Sequence, residues 1–536
     1  MKKSAPPTTV RDPNLDSVAV GLMALVVYLL MTPSVSGDKD ASEFTLVLAT
    51  RGVAHPTGYP LYTLLGSLFV HAVHALGATW SFAANAWSAL GGAFALGFLH
   101  ALIARLLPVV TAAPARRWIP LAALAPLFLN PIWTVETTLA EVYSWHVAWA
   151  CGLGCVFVST VRRLLRGESE ARSLARRGVL WGFLCGVGLS HHATSVLVIV
   201  PLSAGLLLAL ARAKQLRAPT ILLAFGATLV PLLSYFWIVW RVYHPGESFI
   251  WPSLEATPQS ILRHLTGGAY TVYLGWFAPS HIQQAFLRMY VYPFLFPALA
   301  LALVAAWRAR SLEDRVARWS LAASAVLGTG YAFAYGVSDP SSYFLAPLLF
   351  ALATAAVLLS IPAPRIGSIA AALLVLTSAW LSIDWTRIDV ERKRQYIGFN
   401  GMLHDMWTSI PFDSALVFWR DDMYVRLREF QVFRGEKPNL EVIHPANLTH
   451  HGGRARFEAE HGFDPLAGLN LNVPAVGAPG RQTAIDRLYD EMEHNINRRT
   501  SLPVIHFDPV IPTVRLLKKS GATADSAASG APVPPR

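Results

Sequence analysis

Charge is scarce in this sequence and cysteine is nearly absent. Asp, Glu, Lys and Arg make up 14% of 536 residues, and there are three cysteines. Cys151, Cys155 and Cys185 all lie in apolar stretches, so neither a disulfide framework nor a thiolate metal site is indicated. Cys151 and Cys155 share a helix face and read as small packing residues. Internal repeats are not evident, which argues against a transporter built from inverted halves. A small-residue cleavage site is also missing after the first apolar segment. Residues 1–17 are polar and basic, VAVGLMALVVYLLM follows, and further apolar runs come after it, so the segment reads as an uncleaved first helix. The net charge of +11 is spread through short loops between apolar runs. A nucleic-acid partner would need that charge gathered on one soluble face, and is excluded on this pattern.

What the chain does have is apolar length. Hydrophobic residues make up 54% of it, and windows of about 17–25 apolar residues, each able to cross roughly 30 Å of hydrocarbon, recur as far as residue 382. The fold class expected is mainly α, a polytopic membrane helical bundle. Cytoplasmic loops are enriched in Lys and Arg, and basic residues gather at Arg105/Arg116/Arg117, Arg162 to Arg177, Arg212/Lys214/Arg217, Arg308 to Arg318 and Arg365. Placing the N-terminus and all of these inside predicts about eleven spans: 18–33, 83–106, 118–134, 142–161, two short helices meeting near His191 and His192, 219–241, 286–307, 319–337, 342–359 and 366–382. Residues 34–82 form a first outer loop in which YPLYTLLGSLFVHAVHAL lies on the surface, and 243–285 form a second. Asp40, Glu43, Glu136, Glu141, Glu247, Glu255 and Asp339, none used to build this path, then all fall on the outer face.

The expected domains are a cytoplasmic tail (1–17), a membrane domain (18–383), a small outer mixed α/β domain (384–518) and a disordered low-complexity tail (519–536). Within the α/β domain, PFDSALVFW and VIHFD (504–508) read as strands and 482–498 as a charged helix.

Chemistry concentrates beside the first apolar segment. Asp40 and Glu43 in GDKDASEF share a face if helical. Such a pair can coordinate a divalent cation, orient a hydroxyl or act as general base, and a solvated loop charge explains the same spacing. HPTGYP follows, where Pro56 and Pro60 fix the backbone and Gly58 permits an unusual turn, a shaped loop that presents His55 and Tyr59. Glu136 and Glu141 flank a helix boundary in NPIWTVETTLAEVYSWH, where a carboxylate is costly unless paired or hydrated. Glu141 with Tyr143 reads as pocket lining, and Glu136 as an end cap. His191 and His192 sit where the chain turns in GLSHHATS, as structural histidines or as phosphate or acceptor contacts. Asp339, before Pro340, is either a turn cap or a site carboxylate. Arg263 and His264 are basic residues on the acidic side, suited to a lipid phosphate or to structural ion pairs.

Seven stretches together carry a family resemblance: Asp40-Ala41-Ser42-Glu43-Phe44, His55 to Pro60, Ala84 to Leu90, Ala140-Glu141-Val142-Tyr143, Ser190-His191-His192, Leu265 to Tyr270 and Asp339 to Phe344. In order and spacing they resemble the bacterial DUF2723 family, relatives of the animal transmembrane O-mannosyltransferase TMEM260 and of the wider membrane glycosyltransferase C superfamily. The resemblance implies a glycosyltransferase C-like bundle in the bacterial inner membrane, N-terminus cytoplasmic and C-terminal domain periplasmic. It implies a polyprenyl-phosphate-linked sugar as donor, a protein, glycan or lipid acceptor, and membrane lipids as surroundings. It puts Asp40 and Glu43 in the family's acidic first-loop motif, with Asp40 activating or orienting the acceptor hydroxyl and Glu43 supporting it. A divalent cation, Mg or Mn, is implied at the same pair, since other members of the superfamily use one. His55, His192 and Arg263 would stabilise the departing phosphate, and Tyr59, Glu141, Tyr143 and Asp339 would line the substrate site. The sequence departs from the family where His191 replaces the usual Asn, and where Lys39-Asp40-Ala41-Ser42-Glu43-Phe44 stands for Trp-Asp-Ser-Gly-Glu-Phe. A lipid transporter or flippase, or a non-catalytic scaffold, is the alternative for a bundle of this kind.

Overall fold

A computed structural model describes residues 13–38, 40–108, 111, 113–168, 171–275, 277, 279–337, 339–360, 364–474 and 478–518. Lys39 and the expected disordered tail at 519–536 lie outside the described residues. The chain forms two compact units that divide between Asn400 and Gly401.

The first unit is helical. In chain order it contains α1 (Pro13–Met31), α2 (Asp40–Thr50), α3 (Pro60–Ala75), α4 (Trp80–Leu106), α5 (Ala113–Phe128), α6 (Pro131–Thr138), α7 (Tyr143–Leu165), α8 (Ala171–His191), α9 (Val196–Arg212), α10 (Ala218–Leu232), α11 (Tyr235–Tyr243), α12 (Pro258–Leu265), α13 (His281–Tyr290), α14 (Tyr292–Trp307), α15 (Leu312–Phe333), α16 (Leu345–Ala355) and α17 (Pro364–Ser409). Its core is a continuous set of Leu, Val, Ala and Phe side chains from α4, α7, α9, α15 and α16. Outward faces remain apolar: Leu22, Val26 and Leu30 on α1 and Leu222, Phe225 and Leu229 on α10 are all exposed, as a lipid-facing surface requires. Small residues let helices approach closely where no hydrophobic drive exists between them. On α8, Gly178, Gly182 and Gly186 recur every fourth residue against Thr220, Ala224 and Thr228 of α10, and a Cβ at Gly182 would fall 1.8 Å from the Ala224 carbonyl oxygen.

Six segments are long and apolar enough to cross a membrane, or up to eight if each of two bent pairs is one span. Of the expected eleven, six to eight are supported by length and composition among the described residues. The 118–134 and 286–307 spans each appear as two helices, α5 with α6 bent by 80° and α13 with α14 bent by 50°. The breaks fall at Asn130-Pro131 and at Val291, two residues before Pro293, where proline disrupts helix continuity. Arginines dilute α8 and Gly, Ser and Thr dilute α15 below the apolarity of a span. Residues 366–382 lie in α17, which continues without interruption for 46 residues, through the domain boundary expected near 383. Within residues 34–82, α3 falls in the stretch expected as a helix, and α2 precedes it.

The second unit has a four-stranded sheet of order β2-β1-β3-β4, with β1 (Ala415–Phe418), β2 (Leu440–Ile443), β3 (Val504–Asp508) and β4 (Thr513–Leu516). β1 pairs parallel with β2 and β3, and β4 returns antiparallel to β3. Its helices are α18 (Val425–Arg434), α19 (Pro445–Thr449), α20 (His451–His461) and α21 (Arg481–Arg499). Leu416, Phe418, Met492, Ile496 and Val504 form the centre of its core. Both expected strands and the expected charged helix are present, in the mixed α/β architecture read from the sequence.

Candidate active site

Asp40 is the first residue of α2 and Glu43 lies one turn on, where negative charge is favoured by the unsatisfied N–H groups of the helix start. One turn of rotation gives them different environments. The Asp40 side chain is 51% exposed, whereas Glu43 is 3% exposed. The buried carboxylate has its partners supplied by the HPTGYP loop. The His55 backbone N–H donates to Glu43 Oε1 at 2.6 Å, and His55 Nδ1 lies 3.2 and 3.1 Å from the two carboxylate oxygens. With Nδ1–H donating to Glu43, Nε2 accepts from the Tyr59 hydroxyl at 2.9 Å. The same Nε2 lies 4.0 Å from Asp40 Oδ2. Glu43 thus fixes the ring so that its other nitrogen faces Asp40 and Tyr59. Burial pushes the Tyr59 phenol well above its ordinary range, with the nearby phenols of Tyr270 and Tyr343 and the charges of Asp40 and Glu43 adding to it, so it stays a donor.

The loop reaches this shape through two left-handed residues, Gly58 (φ 81°) and Tyr59 (φ 44°), immediately before Pro60 opens α3. Glycine is needed at 58, since a Cβ there would meet Ile238 Cδ1 at 2.4 Å. The loop is pinned by residues 249–251: Val53 bridges to Ile250, Val53 N–H donates to the Phe249 carbonyl, and Trp251 N–H donates to the Val53 carbonyl. Trp251 sets its ring edge on His55, with centroids 5.8 Å apart.

A second wall comes from the α6–α7 connection. Asn85 on α4 donates to the carbonyls of Pro33 and Val35 and accepts from Ala140 N–H, tying the first outer loop to this connection. Ser88 accepts from the Glu141 N–H and donates to the Glu141 carbonyl. These bonds give a physical role to the Ala84–Leu90 stretch. They hold Glu141 with its Oε2 enclosed and without a hydrogen-bond partner. Burial pushes the Glu141 carboxyl well above the usual carboxylate range, and the charges of Glu136, Asp40, Asp339 and Asp38 push in the same direction. That coupling places five carboxyl groups around one region. Glu136, expected as an end cap, is instead buried and accepts from Ser342 Oγ at 2.5 Å. Asp339 does not cap the turn at Pro340 with its side chain.

From Tyr59 a row of rings runs inward: Tyr59 to His192 (5.7 Å between centroids), His192 to Tyr143 (5.5 Å), Tyr143 to Tyr343 (5.6 Å) and Tyr343 to Tyr335 (5.0 Å). His192 sits at the expected break, with Nδ1 accepting from the Thr194 backbone N–H at 3.2 Å. A narrow crevice bordered by Tyr143, His146, Thr194 and Tyr343 continues between α9, α15 and α16 to Leu197 and Phe350.

The structure therefore brings together Asp40, Glu43, His55, Tyr59, Glu141, Tyr143, His192 and Asp339. Arg263 is exposed on α12, and the adjacent His264 is buried toward the loop instead. The Cβ position of Gly58 is 3.3 Å from His264 Nε2, and burial, with the charge of His55, lowers the His264 imidazole to about 3. The phase of α12 carries this signal, because Ile261, His264 and Leu265 follow one helical face. Tyr270 and Tyr343 were within the matched stretches but drew no attention as phenols. Arg392 had no sequence signal: it comes from α17, where it pairs with Asp389 at 2.8 Å beside the Thr134 and Thr138 hydroxyls of α6.

Asp40, Glu43 and His55 each offer one ligand atom, and these atoms lie within 4.8 Å of one another. Two carboxylate oxygens and an imidazole nitrogen are a donor set that fits Mn²⁺ or Mg²⁺. The Glu441, Glu460 and His461 group of the second unit has a similar spread.

Residues 40–217 match the protein O-mannosyl-transferase TMEM260 N-terminal domain family. A Dictyostelium discoideum protein O-mannosyl-transferase tmem260 is 29% identical over 199 residues, 34% of this chain and 22% of that one. The Mus musculus protein O-mannosyl-transferase TMEM260 is 28% identical over 237 residues, 44% of this chain and 30% of that one. The chain thus spans less than a third of the length of these relatives. Among solved structures, the Archaeoglobus fulgidus oligosaccharyltransferase AglB, in complex with an inhibitory peptide and a dolichol-phosphate, aligns with a TM-score of 0.49 at 12% identity, covering 91% of this chain and 69% of that one. ArnT from Cupriavidus metallidurans bound to undecaprenyl phosphate aligns with a TM-score of 0.49 at 15% identity, covering 77% and 84%.

Proposed function

We propose that this chain is a membrane glycosyltransferase that moves a sugar from a polyprenyl-phosphate donor to an acceptor hydroxyl on the periplasmic face. The carrying observation is the exposed Asp40 carboxylate set against a buried Glu43–His55–Tyr59 chain, inside the stretch related to the O-mannosyl-transferase N-terminal domain. Mannose as sugar and a protein hydroxyl as acceptor are favoured through those relatives, and the finer DUF2723 assignment rests on the seven matched stretches.

In the transfer, the acceptor oxygen forms a bond to the sugar's anomeric carbon as the bond from that carbon to the phosphate oxygen breaks. The hydroxyl proton passes to Asp40, and polyprenyl phosphate leaves with the bonding electrons. Asp40 is suited to the base role by its exposure, which keeps it reachable by an acceptor arriving from water. Glu43 is a positioning residue, since it is enclosed and engaged with His55 on both oxygens. His55 and His192 face the region the departing phosphate would occupy, and Glu141, Tyr143 and Asp339 line it. Asp40 and His55 Nε2 would hold a divalent cation, with Glu43 orienting His55 through Nδ1, and the cation would supply positive charge beside the phosphate.

The reading is tested with the full chain in lipid vesicles, offered radiolabelled mannosyl polyprenyl phosphate or a labelled nucleotide mannose. Transfer of label from the lipid donor alone, lost on addition of a chelator and restored by Mn²⁺ or Mg²⁺, is expected. Transfer from the nucleotide sugar with none from the lipid donor would overturn the donor class. Transbilayer movement of the intact lipid donor without transfer would favour the flippase.

A further inference from the structure

At the far end of the same helices lies a cleft of opposite charge. α7 runs from Tyr143, beside the acidic region, to a last turn that carries Arg162 and Arg163, with Arg166 as its C-cap. Tyr143 and Arg162 are about 29 Å apart along the helix axis. α4 likewise runs from Trp80 to Arg105 in its last turn. Between the ends of α4, α7 and α8 is a cleft of ≈ 440 Å³ lined by Arg105, Arg162, Arg163, Arg166 and Arg177. A second cleft of ≈ 280 Å³ shares Arg105, Ser159 and Arg162 with it and adds Arg116.

Two of these arginines are already engaged. Arg162 donates to Asp314 Oδ1 at 2.7 Å, and Arg166 is bidentate to Glu313. Their guanidinium groups also bind the turn together, with Arg162 donating to the Leu106 carbonyl. Arg105 donates only to the Ala101 carbonyl and to Asn14. Arg163 and Arg177 have no carboxylate partner within ion-pair distance among the described residues, and Arg177 donates to the Thr160 hydroxyl at 3.3 Å. Glu168 adds one negative charge to the lining, so five arginines face three carboxylates. Two like charges held together without counter-charge are unfavourable unless an anion completes the site.

The back wall is apolar, made by Cys155, Val156 and Leu180. Toward the bundle's midplane the outward face continues with Phe98, Val179, Leu180 and Phe183, all exposed. A guanidinium rim above an apolar wall matches a phosphate headgroup with acyl chains below it, and Arg suits phosphate oxygens by its paired donors.

The geometry points to this cleft as a binding site for the phosphodiester headgroup of an anionic glycerophospholipid, with Arg163 and Arg177 as the principal contacts and Arg105 as support. The site is separate from the proposed transfer site and does not depend on it. Arg162 and Arg166 hold the cleft open through Asp314 and Glu313 and are not the contacts to vary.

The test uses the full chain, delipidated in a neutral detergent and titrated with phosphatidylglycerol, phosphatidylcholine or inorganic phosphate, read by native mass spectrometry. Selective retention of phosphatidylglycerol is expected, weakened roughly 30-fold in the double variant Arg163→Ala/Arg177→Ala. A control that removes the same charge elsewhere, Arg212→Ala/Arg217→Ala, should keep wild-type retention. Thermal midpoints of all three proteins report folding independently. Equal retention of the two lipids, equal loss in both double variants, or displacement of phosphatidylglycerol by millimolar inorganic phosphate would each overturn the site.

Discussion

Replacing Glu43 by Gln isolates what the buried carboxylate does. Gln has the same shape, so packing around Phe44, Tyr59 and Tyr62 is retained. Its carbonyl oxygen can still accept the His55 backbone N–H, now at 2.6 Å. Its amide N–H₂ then faces His55 Nδ1, which must become an acceptor, so the ring proton moves to Nε2. That reverses the hydrogen bond with Tyr59 and points a donor at Asp40, 4.0 Å away. The loss is one hydrogen bond to a charged acceptor, about 1.5–3 kcal/mol. Expressed wholly in the transition state, this lowers the transfer rate by about 10- to 150-fold. The assay is the initial rate of sugar transfer from a polyprenyl-phosphate donor in vesicles, with the thermal midpoint measured on the same preparation. A wild-type rate would refute the positioning argument. A rate as low as that of an Asp40 variant would refute it differently, by making Glu43 a direct participant.

Tyr59→Phe removes only the hydroxyl on His55 Nε2, a neutral hydrogen bond of about 0.5–1.5 kcal/mol, and should slow transfer roughly 2- to 10-fold; a loss beyond about 100-fold would show that the phenol itself takes part. Glu141 holds its proton more tightly folded than unfolded, so the stability linked to it is complete below the unfolded value near ~4.3 and is lost as pH rises through the raised folded value. Glu141→Gln should therefore match wild type only below about pH 4 and become the more stable protein as pH rises above it, neutral pH included, and parallel midpoint-against-pH curves for the two proteins would contradict this. Gly58→Ala combines a left-handed backbone with a Cβ 2.4 Å from Ile238, and should cost about 2–4 kcal/mol and most of the transfer activity; an unchanged midpoint and rate would contradict the loop geometry.

The features legible in the sequence were those that local rules encode. Apolar runs gave the helical membrane unit, and short runs of β-branched and aromatic residues in SALVF and VIHFD gave β1 and β3. The Asp40–Glu43 spacing and the Pro–Gly punctuation of HPTGYP located the candidate site. What stayed hidden depends on relative rotation and distant pairing. The family resemblance assigns Asp40 the direct role and Glu43 the supporting one, but not how: α2 turns Asp40 outward and Glu43 onto His55, twelve residues away. Arg263 and His264 differ by one residue, and the phase of α12 decides which of them faces inward. α17 carries a sharp change in hydropathy near 383, which reads as a domain boundary, yet backbone hydrogen bonding continues through it because the charged residues that follow are good helix formers. The bends at Asn130-Pro131 and near Pro293 come from residues visible in the sequence, but their angles are set by packing.

The central claim is that Asp40 takes the acceptor proton. Asp40→Asn keeps the size of the side chain and removes its basicity, at a residue whose exposure leaves the fold little dependent on it. The decisive measurement is the rate of sugar transfer from the polyprenyl-phosphate donor by purified D40N protein, alongside its thermal midpoint and its binding of that donor. The account predicts a loss of at least about 10²-fold, with a midpoint close to wild type. A folded D40N protein that transfers at the wild-type rate would contradict it.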